Sequence, residues 1–149
     1  MAELLQLATF SLGNEEFGVD ILKIQEIIRF MDITRVPRAP HFVEGVINLR
    51  GKVIPIIDMR KRFGMEPRTH DKDTRIIVIE ACKMVVGFIV DAVSEVLRIS
   101  TDTVENPPSI VAGMDSEYIS GVGKLEDRLL ILLDLDKLMQ NTSLEVVDA

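Results

Sequence analysis

The chain contains itself twice. Residues 17–29, FGVDILKIQEIIR, moved forward by 69 positions fall on residues 86–98, VGFIVDAVSEVLR. Gly18 meets Gly87, Glu26 meets Glu95 and Arg29 meets Arg98, and the apolar positions coincide at Ile21/Val90, Ile24/Val93, Ile27/Val96 and Ile28/Leu97. Residues 42–64, FVEGVINLRGKVIPIIDMRKRFG, moved forward by 76 fall on YISGVGKLEDRLLILLDLDKLMQ. Gly45/Gly121, Val46/Val122, Leu49/Leu125, Asp58/Asp134 and Lys61/Lys137 are identical. Two blocks in one order, with a seven-residue insertion inside residues 99–117, define an internal repeat.

Each copy reads as a small β unit. LATFSLGNEEFGVDI places two alternating runs around Gly13-Asn14, a hairpin signal, and IIVIEACKMVVGFIV at 76–90 is its counterpart. LKIQEII and AVSEVL are too short for periodicity to separate helix from strand; a helical turn leading into a strand is expected in both. Pro-marked loops follow, VPRAP and ENPP. A second hairpin turns at NLRG or KLED, and a helical turn closes each copy, longer at LDLDKLMQN. Five short strands per copy predict two small closed β-barrels, which leave few open edges. Neither copy is large enough to stand alone, so a shared apolar seam is expected. The boundaries are lobe 1 at about 7–68, a polar linker at 69–74, lobe 2 at about 75–141 and a tail at 142–149, within one 149-residue domain.

Composition narrows the function. Apolar residues make up 47% of the chain and aromatics 5%, with no Trp, so the core is aliphatic. The longest apolar runs fall far short of the ~20 residues needed to span a bilayer, and MAELLQLATF has no basic start, so neither membrane insertion nor a secretory leader is expected. The single Cys82 allows no internal disulfide, which suits a reducing cytoplasm. A net charge of −7 argues against nucleic acid as the main partner. Residues 1–75 hold 12 Lys/Arg and 11 Asp/Glu; residues 76–149 hold 5 and 13. The two halves therefore present different fields to a partner.

Catalysis and metal binding find little support. His41 and His70 lie in separate loops, and Asp71 and Asp73 read as a solvated linker rather than a cation site. There is no nucleophile elbow, no Gly-rich phosphate loop and no helical His pair. Cys82 has no neighbouring His and reads as a small turn residue. Asp58 and Asp134 could form an acid/base couple, but the duplication explains them better as caps of the helical turns they precede. Arg60-Lys61-Arg62 reads as a solvated helical face beside an inward Phe63.

The hairpin tip Asn48-Leu49-Arg50-Gly51 raises a different question. Asn first and Gly fourth fit a type I turn with Gly in the left-handed position. The second copy puts Asp127 at the Gly position and is expected to keep the shape. Leu49 recurs as Leu125 and is expected to tuck onto its own lobe. Arg50 does not recur; its counterpart is Glu126. The shape does not require an arginine, which makes Arg50 a binding candidate. Glu26, inside the apolar run KIQEIIRF, is the second candidate, expected to pair with Arg50 on one face.

Four stretches carry a resemblance: EEFGVDILKIQEI, VEGVINLRGKVIPIIDMRKRFG, VVGFIVDAVSEVL and EYISGVGKLEDRLLILLDLDKL. Together, from about Leu7 to Met139, they resemble the CheW-like domain family of bacterial chemotaxis coupling proteins. The resemblance implies a mainly β fold of two intertwined five-stranded Src-homology-3-like β-barrels, with short helices including a C-terminal one. It implies no enzymatic activity, no cofactor and no metal. The implied role is a cytoplasmic adaptor, a monomer that joins membrane receptor arrays and links the cytoplasmic tip of chemoreceptors to the regulatory domain of the histidine kinase CheA. The implied receptor-binding residues are Ile24, Glu26, Gly45, Asn48, Arg50, Gly51, Gly87 and Val93. The kinase contact falls on lobe ends outside that groove. The rival reading is a regulatory module for a small ligand, a purine among the candidates, bound at the seam between lobes.

Overall fold

The structure, a computed structural model, describes residues 3–105 and 119–140. The first copy supplies β1 (Leu4–Leu12), β2 (Glu15–Asp20), β3 (Ile24–Arg29), β4 (Val43–Leu49), β5 (Lys52–Asp58) and α1 (Met59–Arg62). The second supplies β6 (Arg75–Ala81), β7 (Met84–Val90), β8 (Ala92–Ser100), β9 (Val104–Glu105), β10 (Ile119–Lys124), β11 (Leu129–Leu133) and α2 (Leu135–Gln140). The fold is mainly β, as the repeat pattern predicts. The ENPP loop and the tail lie outside the described residues.

The strands form two sheets, ordered β8-β1-β2-β11-β10-β9 and β3-β6-β7-β5-β4. Each sheet takes strands from both copies. The β1–β2 hairpin of the first copy joins β8–β11 of the second, and the β6–β7 hairpin of the second joins β3–β5 of the first. Two parallel junctions make the exchange, β11 on β2 (Leu132 opposite Gly18) and β5 on β7 (Ile56 opposite Gly87). These four residues are repeat partners, so the exchange is the same on both sides. Both junctions are tight. A Cβ on Gly87 would lie 2.6 Å from Ile56 Cδ1 and 2.7 Å from Ile76 Cγ2.

Three apolar clusters follow from this topology. One lies within each sheet's lobe: Ile54, Ile56 and Ile76 in one, and their repeat partners Leu130, Leu132 and Leu7 in the other. The largest draws Phe10 and Phe17, Ile57 and Met59, Phe88 and Leu135 together from both copies and forms the shared seam. Phe17 stacks on Phe10 at 5.5 Å and on Phe63 at 5.6 Å between ring centroids, tying α1 across that seam.

The exchange also redistributes charge. Residues 24–90 carry the second sheet and hold 12 Lys/Arg against 8 Asp/Glu. The described remainder, which carries the first sheet, holds 5 against 12. The two lobes are therefore more opposed in charge than the two halves of the sequence.

The entry to the long strands differs between copies. Ile21–Lys23 form the expected helical turn, a single 3-10 turn, capped by the Asp20 carboxylate accepting from Leu22 N at 2.9 Å. The second copy has no such turn; the chain bends at Asp91 straight into β8. Ile89 stands where Asp20 stands and cannot cap. The aspartate has moved to position 91, where it binds other partners.

Candidate protein-interaction site

The β4–β5 hairpin presents the tip. Leu49 pairs with Lys52, so the loop is only Arg50-Gly51. Both have positive φ, 51° and 85°, the pattern of a two-residue type I′ turn. This corrects the expected type I turn: the hairpin closes one step tighter and Arg50 itself is left-handed. An L-residue other than Asn, Asp or Gly is disfavoured there. Asn48 helps to hold the turn, its Oδ1 accepting from Gly51 N at 2.9 Å. Leu49 packs against its lobe's own cluster, as expected.

The second tip has the same length, with Leu125 N donating to Arg128 O at 2.9 Å around Glu126-Asp127. It lacks the left-handed residue, since neither Glu126 nor Asp127 has a positive φ. The shape expected to persist is therefore kept in length and lost in twist.

Arg50 and Glu26 form an ion pair. The hydrogen bond that Arg50 donates to Glu26, and the Glu26 charge, raise the Arg50 pKa above its ordinary value. Glu26 sits at a register shift between β3 and β6, on the half-buried face with Ile24 and Ile28. Its repeat partner Glu95 accepts from Arg128 Nη2 at 2.9 Å. The equivalent shift in β1 is filled by buried Thr9, whose hydroxyl donates to Glu95 O at 2.9 Å and accepts from Glu95 N at 3.1 Å. A glutamate–arginine pair thus recurs at both tips, although Arg50 does not recur by position. The arginine has moved two places along the hairpin.

The remaining candidates are more structural in setting. Ile24 and Val93 are partly buried against the shared seam at the starts of β3 and β8. Gly45 is buried at φ 148°, and a Cβ there would lie 2.0 Å from Thr34 O, where that segment crosses β4. Gly51 faces open space. Gly45 and Gly87 are thus demanded by the fold itself.

Other expectations fare unevenly. Asp58 and Asp134 cap their helices: Asp58 Oδ1 accepts from Arg60 N at 2.9 Å and Asp134 Oδ1 from Lys137 N at 3.0 Å. The Arg60–Arg62 run is not a solvated face. Arg60 donates to Asp91 through Nε at 2.8 Å and Nη2 at 2.6 Å, with both side chains nearly buried. Lys61 pairs with Glu44, and Arg62 lies over the Phe42 ring at 5.4 Å. Sequence reasoning also missed two exposed apolar pairs related by the repeat, Ile27/Val96 and Val53/Leu129. Val53 is 70% exposed beside the Arg50 tip and Leu129 is 61% exposed beside Arg128. Their recurrence at solvent-facing positions was the available signal. Among the described residues no His/Cys/Asp/Glu group is arranged to hold a metal ion, and no helix is long and apolar enough to cross a membrane.

Comparison with known proteins fits this architecture. The family model for the CheW-like domain matches residues 6–143. The chain is 42% identical over 139 residues to the chemotaxis protein CheW of Klebsiella aerogenes, covering 93% of this chain and 84% of that one. It is 37% identical to the chemotaxis protein CheW of Treponema pallidum, covering 96% and 86%. The crystal structure of the scaffolding protein TtCheW from Thermoanaerobacter tengcongensis superposes with a TM-score of 0.85 at 41% identity, over 91% of this chain and 92% of that one. The chain belongs to the CheW-like domain family, a family of chemotaxis adaptors and not of enzymes.

Proposed function

We propose that this chain couples chemoreceptors to the histidine kinase CheA. It would work in the cytoplasm, as a monomer recruited to membrane receptor arrays. The receptor's cytoplasmic tip, a helical hairpin, would lie with its apolar face in a groove. Ile24 and Val93 would form the floor, and the tip residues Asn48, Arg50 and Gly51 the rim. The kinase's regulatory domain would dock on lobe ends away from that groove.

The observation that carries this reading is Arg50. It stands in a left-handed turn position that favours Asn or Gly, and it is ion-paired to Glu26 on the neighbouring half-buried face. The Arg50 side chain is 69% exposed at the end of the hairpin and is held by Glu26, which leaves its charge available to a partner. An exposed pair of this kind serves orientation and partner choice more than stability.

The test is capture of the receptor tip by Arg50→Glu and Glu26→Lys, each checked by thermal unfolding. Both are expected to melt like the parent and to lose receptor binding. Parental binding by both would remove these residues from the site. Reconstitution completes the test: addition of this chain should make CheA autophosphorylation responsive to receptor and attractant. No response with the cognate kinase and receptor would sink the coupling role.

A further inference from the structure

Among the described residues the chain crosses from one sheet to the other twice, between β2 and β3 and between β7 and β8. The two crossings are held differently. The second is pinned at its bend, where the nearly buried Asp91 carboxylate accepts two hydrogen bonds from Arg60. The first is the 3-10 turn Ile21–Lys23, with the Asp20 cap on Leu22 N and the half-exposed Lys23–Asp136 pair. On either side of this turn the backbone is already extended, at φ −60°, ψ 122° for Asp20 and φ −89°, ψ 126° for Ile24. Straightening Ile21–Lys23 merges β2 and β3 into one strand. The β1–β2 hairpin that precedes the turn finds its partners far along the chain. Its sheet neighbours are β8 and β11. Thr9 bonds to Glu95, Gly13 N to Asp91, and Glu16 pairs with Arg128. Phe63, stacked on Phe17 in the seam, also lies beyond the turn. A second chain therefore carries all of these partners in the same arrangement.

We propose that the β1–β2 hairpin exchanges between two copies of this chain, with Ile21–Lys23 as the hinge. Each hairpin fills the sheet of the other copy, and the contacts listed above are kept. What is given up is the turn with its cap. The exchanged dimer forms from chains that refold together at high concentration, not from folded monomers, since the hairpin must leave one seam before it enters another. The hairpin of the second copy, β6–β7, stays in place because Asp91 pins its crossing. Glu26 and Arg50 both follow the hinge, so each half of the dimer keeps its own pair and the particle carries two such tips.

The test uses Gln6 and Arg98, exposed partners across β1 and β8. In a Cys82→Ser background, a tagged full-length chain with Gln6→Cys and an untagged one with Arg98→Cys are unfolded in urea, refolded together at high concentration and oxidised. The expected product is a disulfide between unlike chains, several-fold more abundant than either like-with-like disulfide. Exchange alone sets position 6 of one chain opposite position 98 of another. Mixing the two chains already folded should give several-fold less. Asp20→Ala in both chains removes the cap of the closed turn and should raise the yield several-fold. The parent chain, refolded at high concentration, should elute in part as a dimer that persists on dilution. A parent that stays monomeric overturns the proposal. So do crosslinks no richer in the unlike pair than in the like pairs, or a yield indifferent to Asp20→Ala. None of these readouts depends on receptor or kinase.

Discussion

Arg60 and Asp91 face each other in two parallel hydrogen bonds, Nε to Oδ1 at 2.8 Å and Nη2 to Oδ2 at 2.6 Å. The same carboxylate accepts from Gly13 N at 2.7 Å and Arg68 Nη1 at 3.0 Å. One side chain thus joins the β1–β2 turn, α1, the segment that follows α1 and the bend into β8. The equivalent position of the other lobe reverses the charges: Asp136 on α2 meets Lys23, at 3.2 Å.

Burial alone would push the Asp91 carboxyl up, but the hydrogen bonds from Arg60 and Gly13 outweigh it and hold the pKa at about 2, below the ordinary 3.8. A depressed carboxylate stabilises the fold above its unfolded pKa and loses that contribution as pH falls through the folded one. The contribution is roughly 2.5 kcal/mol at neutral pH and should disappear between about pH 4 and pH 2. Urea unfolding at stepped pH checks this. Asp91→Asn should flatten that part of the profile and, by stranding Arg60, cost about 3 kcal/mol at pH 7.

At the Arg50 tip, stability and the proposed function should move in opposite directions. Arg50→Asn gives Asn-Gly, the preferred type I′ sequence. The melting temperature is expected to rise by a few degrees, while capture of the receptor tip falls. Loss of stability would refute the left-handed turn; unchanged binding would refute the role of Arg50.

The β6–β7 turn offers a control without proposed function. Cys82 and Lys83 both have positive φ, 52° and 63°. Replacing them by Asn-Gly should stabilise the protein by about 1–2 kcal/mol, read from the urea midpoint, with receptor and kinase binding intact.

The glycines should rank by their surroundings. Gly45→Ala drives a Cβ into the Thr34 carbonyl and should prevent folding or cost more than about 4 kcal/mol. Gly87→Ala clashes with side-chain methyls, Ile56 Cδ1 and Ile76 Cγ2, rather than with backbone, so about 1–3 kcal/mol is expected. Thermal unfolding of the two variants gives the order directly.

The repeat, the hairpins, the caps at Asp58 and Asp134 and the Glu26–Arg50 pair were all legible before any coordinates, because each rests on local pattern or on comparison of the two copies. The hairpin exchange was not. β1–β2 has the same alternation whichever copy's sheet it joins, and only the parallel contacts of Gly18 and Gly87 decide. The twist of the Arg50 tip was hidden because Asn-x-x-Gly suits a three-residue loop as well as a two-residue one. Arg60 looked solvated because its partner is 31 residues away and has no acidic repeat counterpart.

The exchanged hairpins also set a timetable for synthesis. Thr9 meets Glu95 across 86 residues of chain, so β1 leaves the ribosome long before the strand it must border. Its outer edge stays unclaimed until most of the polypeptide has been made. The first half cannot mature early as a finished unit, and the molecule should fold late, in one concerted step.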